Sequence, residues 1–176
     1  GFEELNSLSE NPDELKHSFA EPEVKHAVDQ NISKFLVDSK EKREYNRRSI
    51  ESSNAVIESE NAKRLRPQLQ WKLMKAMGWE ESLEESLPYL VPGEITHGAS
   101  VNLDDVEDDG ERRRGLNPPH RELAKTTSED IANYTAMNEA ITTPKESQIQ
   151  LLQKERGDLI LENILEAEQD LVRGQN

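Results

Sequence analysis

Acidic side chains cluster where the chain reads Asp-Asp-Val-Glu-Asp-Asp, over residues 104–109. On an α-helix, with about 100° of rotation per residue, Asp104, Asp108 and His97 lie within roughly 40° of one another. Neighbouring carboxylates repel each other, and a hard divalent cation removes that repulsion. Magnesium prefers a few carboxylate oxygens together with water and phosphate oxygens. We therefore predict a Mg²⁺ site at Asp104, Asp105 and Asp108.

Two basic clusters accompany the aspartates. Arg112, Arg113 and Arg114 follow them and can donate charge-assisted hydrogen bonds to phosphate, and Lys63–Pro67 forms an earlier Lys-Arg-Leu-Arg-Pro segment. Taken singly, each pattern is more typical of a solvated helix end or a basic helix start. A calcium-binding loop is a further alternative, which we set aside because Leu116 replaces the bidentate glutamate at its twelfth position.

In order and spacing, these motifs resemble those of the trans-isoprenyl diphosphate synthases, in particular the geranylgeranyl diphosphate synthase type. That family shows Lys-Arg-x-Arg-Pro, then His-x-x-Ser followed by Asp-Asp-x-x-Asp, then Arg-Arg-Gly. The matching positions are Lys63 to Pro67, His97 with Ser100, Asp104 to Asp108, and Arg113 to Gly115. The steps of seven residues from His97 to Asp104 and nine from Asp104 to Arg113 also match. The resemblance covers roughly residues 24–176.

The resemblance implies a prenyltransferase with two diphosphate substrates. Asp104, Asp105 and Asp108 would hold Mg²⁺ on an allylic diphosphate, which Arg113 also contacts. Isopentenyl diphosphate would be bound by four residues, namely Lys63, Arg66, His97 and Arg114. The allylic diphosphate would ionise, the isopentenyl double bond would attack the carbocation, and a proton would be lost. Metal and arginine charge would stabilise the departing diphosphate most in the transition state.

The helix upstream of the aspartates limits product length in this family. Ala99 and Ser100 occupy the positions concerned, and their small side chains favour a product of twenty carbons or more. Alternatively, Ala99 simply permits close packing of two helices.

Two departures from the family pattern keep other functions open. Asn61-Ala62 stands where the family usually has Gly-Gly, and the chain contains no second Asp-Asp-x-x-Asp motif. We therefore expect the carboxy-terminal part of the domain to lie outside this chain, and the chain to be inactive alone. A non-catalytic partner subunit of a heteromeric prenyl synthase is the alternative. A terpene cyclase is disfavoured by the two basic motifs, because a cyclase has no second diphosphate to hold.

Composition narrows the class of protein. The 176 residues include 36 acidic and 22 basic side chains, for a net charge of −14, so a nucleic-acid binder is not expected. The chain has no cysteine, no apolar run long enough for a transmembrane segment, and no signal-peptide layout at residues 1–22. We therefore expect a cytoplasmic protein. The resemblance implies a dimer, because members of that family usually dimerise through helices, and an apolar content of only 33% agrees with this. We therefore also expect a homodimer.

Apolar residues recur at helical spacing, and Gly and Pro separate the segments. The predicted helices cover residues 23–59, 67–78, 94–109, 130–141 and 149–172, the last one broken near Gly157. Asn117–Pro119 is predicted to be a loop. The fold expected is all-α, an antiparallel helical bundle of the isoprenoid synthase type, of which this chain is about the first half. Residues 1–22 should form a flexible tail and residues 23–176 the helical domain.

Overall fold

A computed structural model of the chain describes residues 20–42, 47–59, 61–113 and 115–174. Within these ranges the chain forms seven α-helices and no strand, which confirms the predicted all-α fold. The helices are α1 (Pro22–Lys42), α2 (Arg47–Ile57), α3 (Leu65–Ala76), α4 (Leu83–Glu107), α5 (Pro119–Ala124), α6 (Glu129–Leu151) and α7 (Gly157–Gly174). Residues 1–19 of the predicted tail, Arg114 and Gln175 lie outside the described residues.

Helix α4 is the central element, because it packs against α1, α2, α3, α6 and α7. Its partner in the main core is α1, whose apolar residues recur every three or four positions and are buried against α4. The buried members of this core are Val24, Val28, Ile32, Phe35, Leu36, Ile57, Leu87, Leu90, Val91 and Ile95. Burial of each large aliphatic side chain contributes about 1.5 to 3 kcal/mol. This core fixes the middle of α4, and with it the direction of the helix toward the aspartates.

The start of α4 differs from the prediction. The helix begins at Leu83, not at Glu94, and it continues through Pro88 and Pro92. A proline within a helix costs roughly 3 kcal/mol because it lacks the amide hydrogen and crowds the preceding turn. A capping box offsets part of that cost, since the Ser82 hydroxyl accepts a hydrogen bond from the Glu85 amide and the Glu85 carboxylate accepts one from the Ser82 amide. Burial of Leu87, Leu90 and Val91 in the main core, on either side of Pro88, also favours the continuous helix.

Proline also marks other boundaries that were placed wrongly. Helix α6 continues through the buried Pro144, and α3 begins at Leu65 although Pro67 was the predicted start. Pro119 is the first residue of α5 and not part of a loop, because proline needs no hydrogen-bond partner in the first turn of a helix. A hydrophobic pattern cannot distinguish a proline that ends a helix from one that tertiary packing accommodates.

The predicted break near Gly157 is confirmed, since α6 ends at Leu151 and α7 begins at Gly157. A Cβ atom at this glycine would lie 1.7 Å from the carbonyl oxygen of Leu151. Only glycine therefore fits this turn.

The region predicted as one helix over residues 23–59 is described as α1 and α2, with residues 43–46 outside the described part. Within the described residues, no helix is both long enough and apolar enough to cross a lipid bilayer.

Candidate functional site

The predicted metal ligands lie on the last two turns of α4, and the structure separates them by exposure. The side chain of Asp105 is only 3% exposed, whereas that of Asp104 is 46% exposed. Asp108 caps the carboxy-terminal end of α4 and is exposed. One aspartate of the motif therefore faces the protein interior, and the other two face outward, one helical turn apart.

The buried aspartate is paired with the predicted phosphate-binding arginine. Nε of Arg113 donates hydrogen bonds to both carboxylate oxygens of Asp105, at 2.9 and 3.1 Å, and Nη2 donates to Oδ1 at 2.6 Å. Nη2 also donates to Oδ2 of Asp104 at 3.3 Å. The hydrogen bonds to Asp105 raise the pKa of the Arg113 guanidinium above its ordinary value. This fork-shaped contact fixes the arginine beside the outward-facing carboxylate of Asp104.

A tight turn positions the backbone of Arg113. Its amide donates to the Leu116 carbonyl at 2.9 Å, and the Leu116 amide donates back to the Arg113 carbonyl at 2.8 Å. Gly115 lies inside this turn with φ of +84°, a left-handed conformation that favours glycine. This turn therefore explains why a glycine stands at the third position of the Arg-Arg-Gly motif. Arg114, predicted to bind isopentenyl diphosphate, lies outside the described residues.

The turn after α4 closes over the buried carboxylate. The amide of Gly110 donates to the carbonyl oxygen of Asp105 at 2.8 Å, and a Cβ atom at this glycine would lie 3.0 Å from the Oδ1 atom of Asp105. Asp109 adopts a left-handed conformation with φ of 54°. Nη2 of Arg121 donates to the Asp109 carbonyl at 3.3 Å and also to its carboxylate. The end of α4 is therefore tied to α5.

A buried histidine lies next to this turn. His120, in the first turn of α5, is 1% exposed, and neither ring nitrogen has a hydrogen-bond partner among the described residues. Burial, followed by the positive charge of Arg121, lowers the pKa of His120 below its ordinary value. The ring is therefore neutral at pH 7, and it lies close enough to Asp105 and Asp109 for their negative charges to act on it.

The Lys63–Pro67 segment, here called the basic loop, joins the end of the α2–α3 connection to the first turn of α3. It presents two of its three cations to solvent. Lys63 and Arg66 are exposed, and neither forms an ion pair with any residue that the structure describes. Arg64, between them, is 1% exposed in its side chain and pairs with Asp29 and Glu94. Sequence reasoning assigned Arg64 no role, because nothing in a run of basic residues indicates which of them is buried.

The remaining predicted site residues lie on α4. Gly93, His97, Ser100 and Asp104 form a partly exposed stripe, and the Ser100 hydroxyl donates to the His97 carbonyl at 2.9 Å. Ala99 lies off this stripe and is 1% exposed, so its methyl group is covered by neighbouring atoms. That burial agrees with the close-packing interpretation of Ala99. The roles of Ala99 and Ser100 in product length stay predictions.

The donor set suits magnesium at two of the three predicted positions. Asp104 and Asp108 offer outward-facing carboxylates one turn apart, and magnesium commonly binds one or two protein carboxylates while water and phosphate complete its shell. Asp105 accepts hydrogen bonds from Arg113 on both of its oxygens. Within the part of the chain that the structure describes, no three acidic or histidine side chains converge on one point. Asp104 and Asp108 are therefore the two predicted ligands whose carboxylates face outward, and the predicted magnesium site stays a prediction.

Comparison with known proteins gives no relative from which a role could be transferred. No protein-family model matches the chain, no curated protein matches it, and no solved structure matches it.

Proposed function

We propose that this chain forms the amino-terminal part of an isoprenyl diphosphate synthase. The enzyme would condense isopentenyl diphosphate with an allylic diphosphate and release a prenyl diphosphate of twenty or more carbons. One observation carries the proposal. Both charged motifs bury one charged side chain in an ion pair and leave its like-charged neighbours facing outward.

Two sets of residues each bind one of the two diphosphates. Asp104 and Asp108 hold Mg²⁺ for the allylic diphosphate, and Asp105 holds Arg113, which donates hydrogen bonds to the same diphosphate. When bound, the metal ion supplies positive charge that stabilises the departing diphosphate. Lys63, Arg66 and His97 bind isopentenyl diphosphate, and Arg114 completes that set by the same resemblance.

The chemistry requires no side-chain nucleophile. The carbon–oxygen bond of the allylic diphosphate breaks, the isopentenyl double bond supplies the electron pair for the new carbon–carbon bond, and a proton leaves the resulting cation. Arg113 and the outward carboxylates act where negative charge develops on the leaving diphosphate. Groups aligned before the reaction at such a position lower the barrier without reorganisation cost.

The full-length protein that contains this chain tests the proposal. It should convert radiolabelled isopentenyl diphosphate and an allylic diphosphate to a prenyl diphosphate only when magnesium is present. Asp104→Asn and Asp108→Asn should each lower the rate at least about a hundredfold, the scale expected when one stabilising group is removed. Glu107→Gln, which removes an exposed acid beside the motif, should change the rate less than about twofold.

Two results would separate this proposal from the partner-subunit alternative. Magnesium-dependent binding of inorganic pyrophosphate without any prenyl product, and product formation only after a catalytic chain is added, would identify a non-catalytic subunit. If inorganic pyrophosphate does not bind with or without magnesium, both functions are excluded.

A further inference from the structure

Arg64 lies in the connection between α2 and α3, yet it is one of the least exposed charged residues. Each nitrogen of its guanidinium donates to a different helix. Nε donates to Oδ1 of Asp29 in α1 at 2.7 Å, Nη2 to the carbonyl oxygen of Ile57 at the end of α2 at 2.7 Å, and Nη1 to Oε1 of Glu94 in α4 at 3.1 Å. A single side chain thus joins the basic loop to three helices.

The charges around Arg64 are balanced. Asp29 also accepts from Nζ of Lys25 through its second carboxylate oxygen, at 2.6 Å. Two cations and two carboxylates therefore alternate along the chain of contacts from Lys25 to Glu94. A buried cation is tolerated when its partners are close and well aligned, and its planar fork then fixes the direction of the backbone that carries it.

The backbone of the basic loop is held as well. Nε2 of Gln68 donates to the carbonyl oxygens of Lys63 and Arg64, at 2.7 and 3.0 Å. Arg64 itself has φ of +52°, an unfavourable conformation for a residue with a Cβ atom, and one that persists only where surrounding contacts impose it. These contacts hold the backbone at Arg64, while Lys63 and Arg66 on either side of it are exposed.

We infer that Arg64 is a positioning residue for a diphosphate-binding pair formed by Lys63 and Arg66. Its side chain is 1% exposed and each of its three guanidinium nitrogens already donates a hydrogen bond within the protein, so it does not contact the ligand itself. It acts by holding the loop in the left-handed conformation that directs its two neighbours outward. Ligand binding then requires less ordering of the two cations. This inference rests on the proposed function, and it adds a residue that contacts neither substrate.

A double-mutant cycle on pyrophosphate binding tests the inference. The probe is inorganic pyrophosphate with a metal chelator present, titrated by calorimetry, so that the aspartates of α4 hold no cation. Arg64→Lys keeps the charge and removes the fork, and it should weaken binding about tenfold, within the usual range for residues that act through one another. In a Lys63→Gln, Arg66→Gln background, the same substitution should change affinity less than about twofold.

A second variant tests the same inference if Arg64→Lys does not fold. Asp29→Asn removes one partner at a side chain that is 29% exposed, and it should weaken pyrophosphate binding in the same direction by a smaller factor. Asp38→Asn, on an exposed position of the same helix, is the matched control and should leave binding unchanged. Amide hydrogen exchange at residues 61–64 should become faster in Arg64→Lys and Asp29→Asn and stay unchanged in Asp38→Asn.

The possible failures are distinguishable. If Arg64→Lys loses the same factor in both backgrounds, Arg64 contacts the anion directly and the inference is wrong. If exchange at residues 61–64 is unchanged, Arg64 does not hold the loop and the inference is wrong. If the unaltered chain binds pyrophosphate but Lys63→Gln and Arg66→Gln have no effect, the assignment of the second diphosphate site is wrong, and the proposed function fails on that point.

Discussion

The acidic end of α4, residues 104–109, and the basic loop stabilise clustered like charges in different ways. Each carries several like charges, and each buries one of them in an ion pair, Asp105 with Arg113 and Arg64 with Glu94. At the acidic end the partner comes from the next turn of the chain, eight residues away. In the basic loop the partners come from α1 and α4, 35 and 30 residues away.

This difference separates a local arrangement from a tertiary one. The Asp105–Arg113 pair can form as soon as α4 and the following turn exist, and the arginine stays 37% exposed. The Arg64 contacts require α1, α2 and α4 to be packed together first. We therefore expect substitutions in the basic loop to affect the stability of the whole fold, and substitutions at the acidic end to affect ligand binding more than stability.

The largest expected effect is that of Arg64→Met. The substitution leaves the buried Glu94 carboxylate without its cation, and such losses cost about 3 to 5 kcal/mol in the free energy of unfolding. Arg66→Met, two positions along in the first turn of α3, should cost less than about 0.5 kcal/mol because Arg66 is exposed. Urea unfolding followed by circular dichroism measures both. Equal losses for the two variants would remove the distinction between the two regions.

Asp105→Asn should have an intermediate effect on stability. The amide cannot accept the full set of charge-assisted hydrogen bonds from Arg113, and a cost of about 1 to 3 kcal/mol is expected for this buried position. Asp108→Asn, at an exposed position, should leave stability nearly unchanged and weaken magnesium-dependent pyrophosphate binding instead. The same unfolding experiment, paired with calorimetry in the presence of magnesium, separates the two outcomes. If Asp108→Asn proved the more destabilising, the assignment of interior and outward roles would be wrong.

The sequence predicted more of the acidic end than of the basic loop, because the arrangement at the acidic end is local and that of Arg64 is tertiary. The period of the helix placed Asp104, Asp108 and His97 on one side of α4, and the structure places His97 and Asp104 on one partly exposed stripe. The burial of Arg64 could not be predicted, because its partners lie far away in the sequence and only the packed helices bring them together. The same limit applies to Pro88, whose cost within α4 is offset by tertiary contacts that no local pattern contains.

Two glycines of α4 test how closely that helix packs against α2, whose last residue accepts a hydrogen bond from Arg64. A Cβ atom at Gly98 would lie 3.0 Å from Cγ1 of Ile57, the residue whose carbonyl accepts from Arg64, whereas a Cβ atom at Gly93 would meet nothing within 4 Å. Gly93→Ala should therefore stabilise the protein by up to about 1 kcal/mol through helix propensity. Gly98→Ala should be less stable than Gly93→Ala by about 1 kcal/mol or more, since the gain is offset by crowding of Ile57. Thermal unfolding of both variants measures the difference, and equal midpoints would show that α2 does not press on α4 at this point.

The smallest expected effect concerns pH and the buried His120. Burial lowers the pKa of His120 below its ordinary value of 6.5, so the unfolded chain binds a proton at a higher pH than the folded chain does. Unfolding then takes up a proton as the pH falls below 6.5, and the contribution of His120 to stability is lost over that range. His120→Gln should make the midpoint of thermal unfolding less dependent on pH between about 7 and 5, whereas His26→Gln, at an exposed position, should keep the slope of the unaltered protein. If the two variants have the same slope, the imidazole of His120 is not held neutral by the fold.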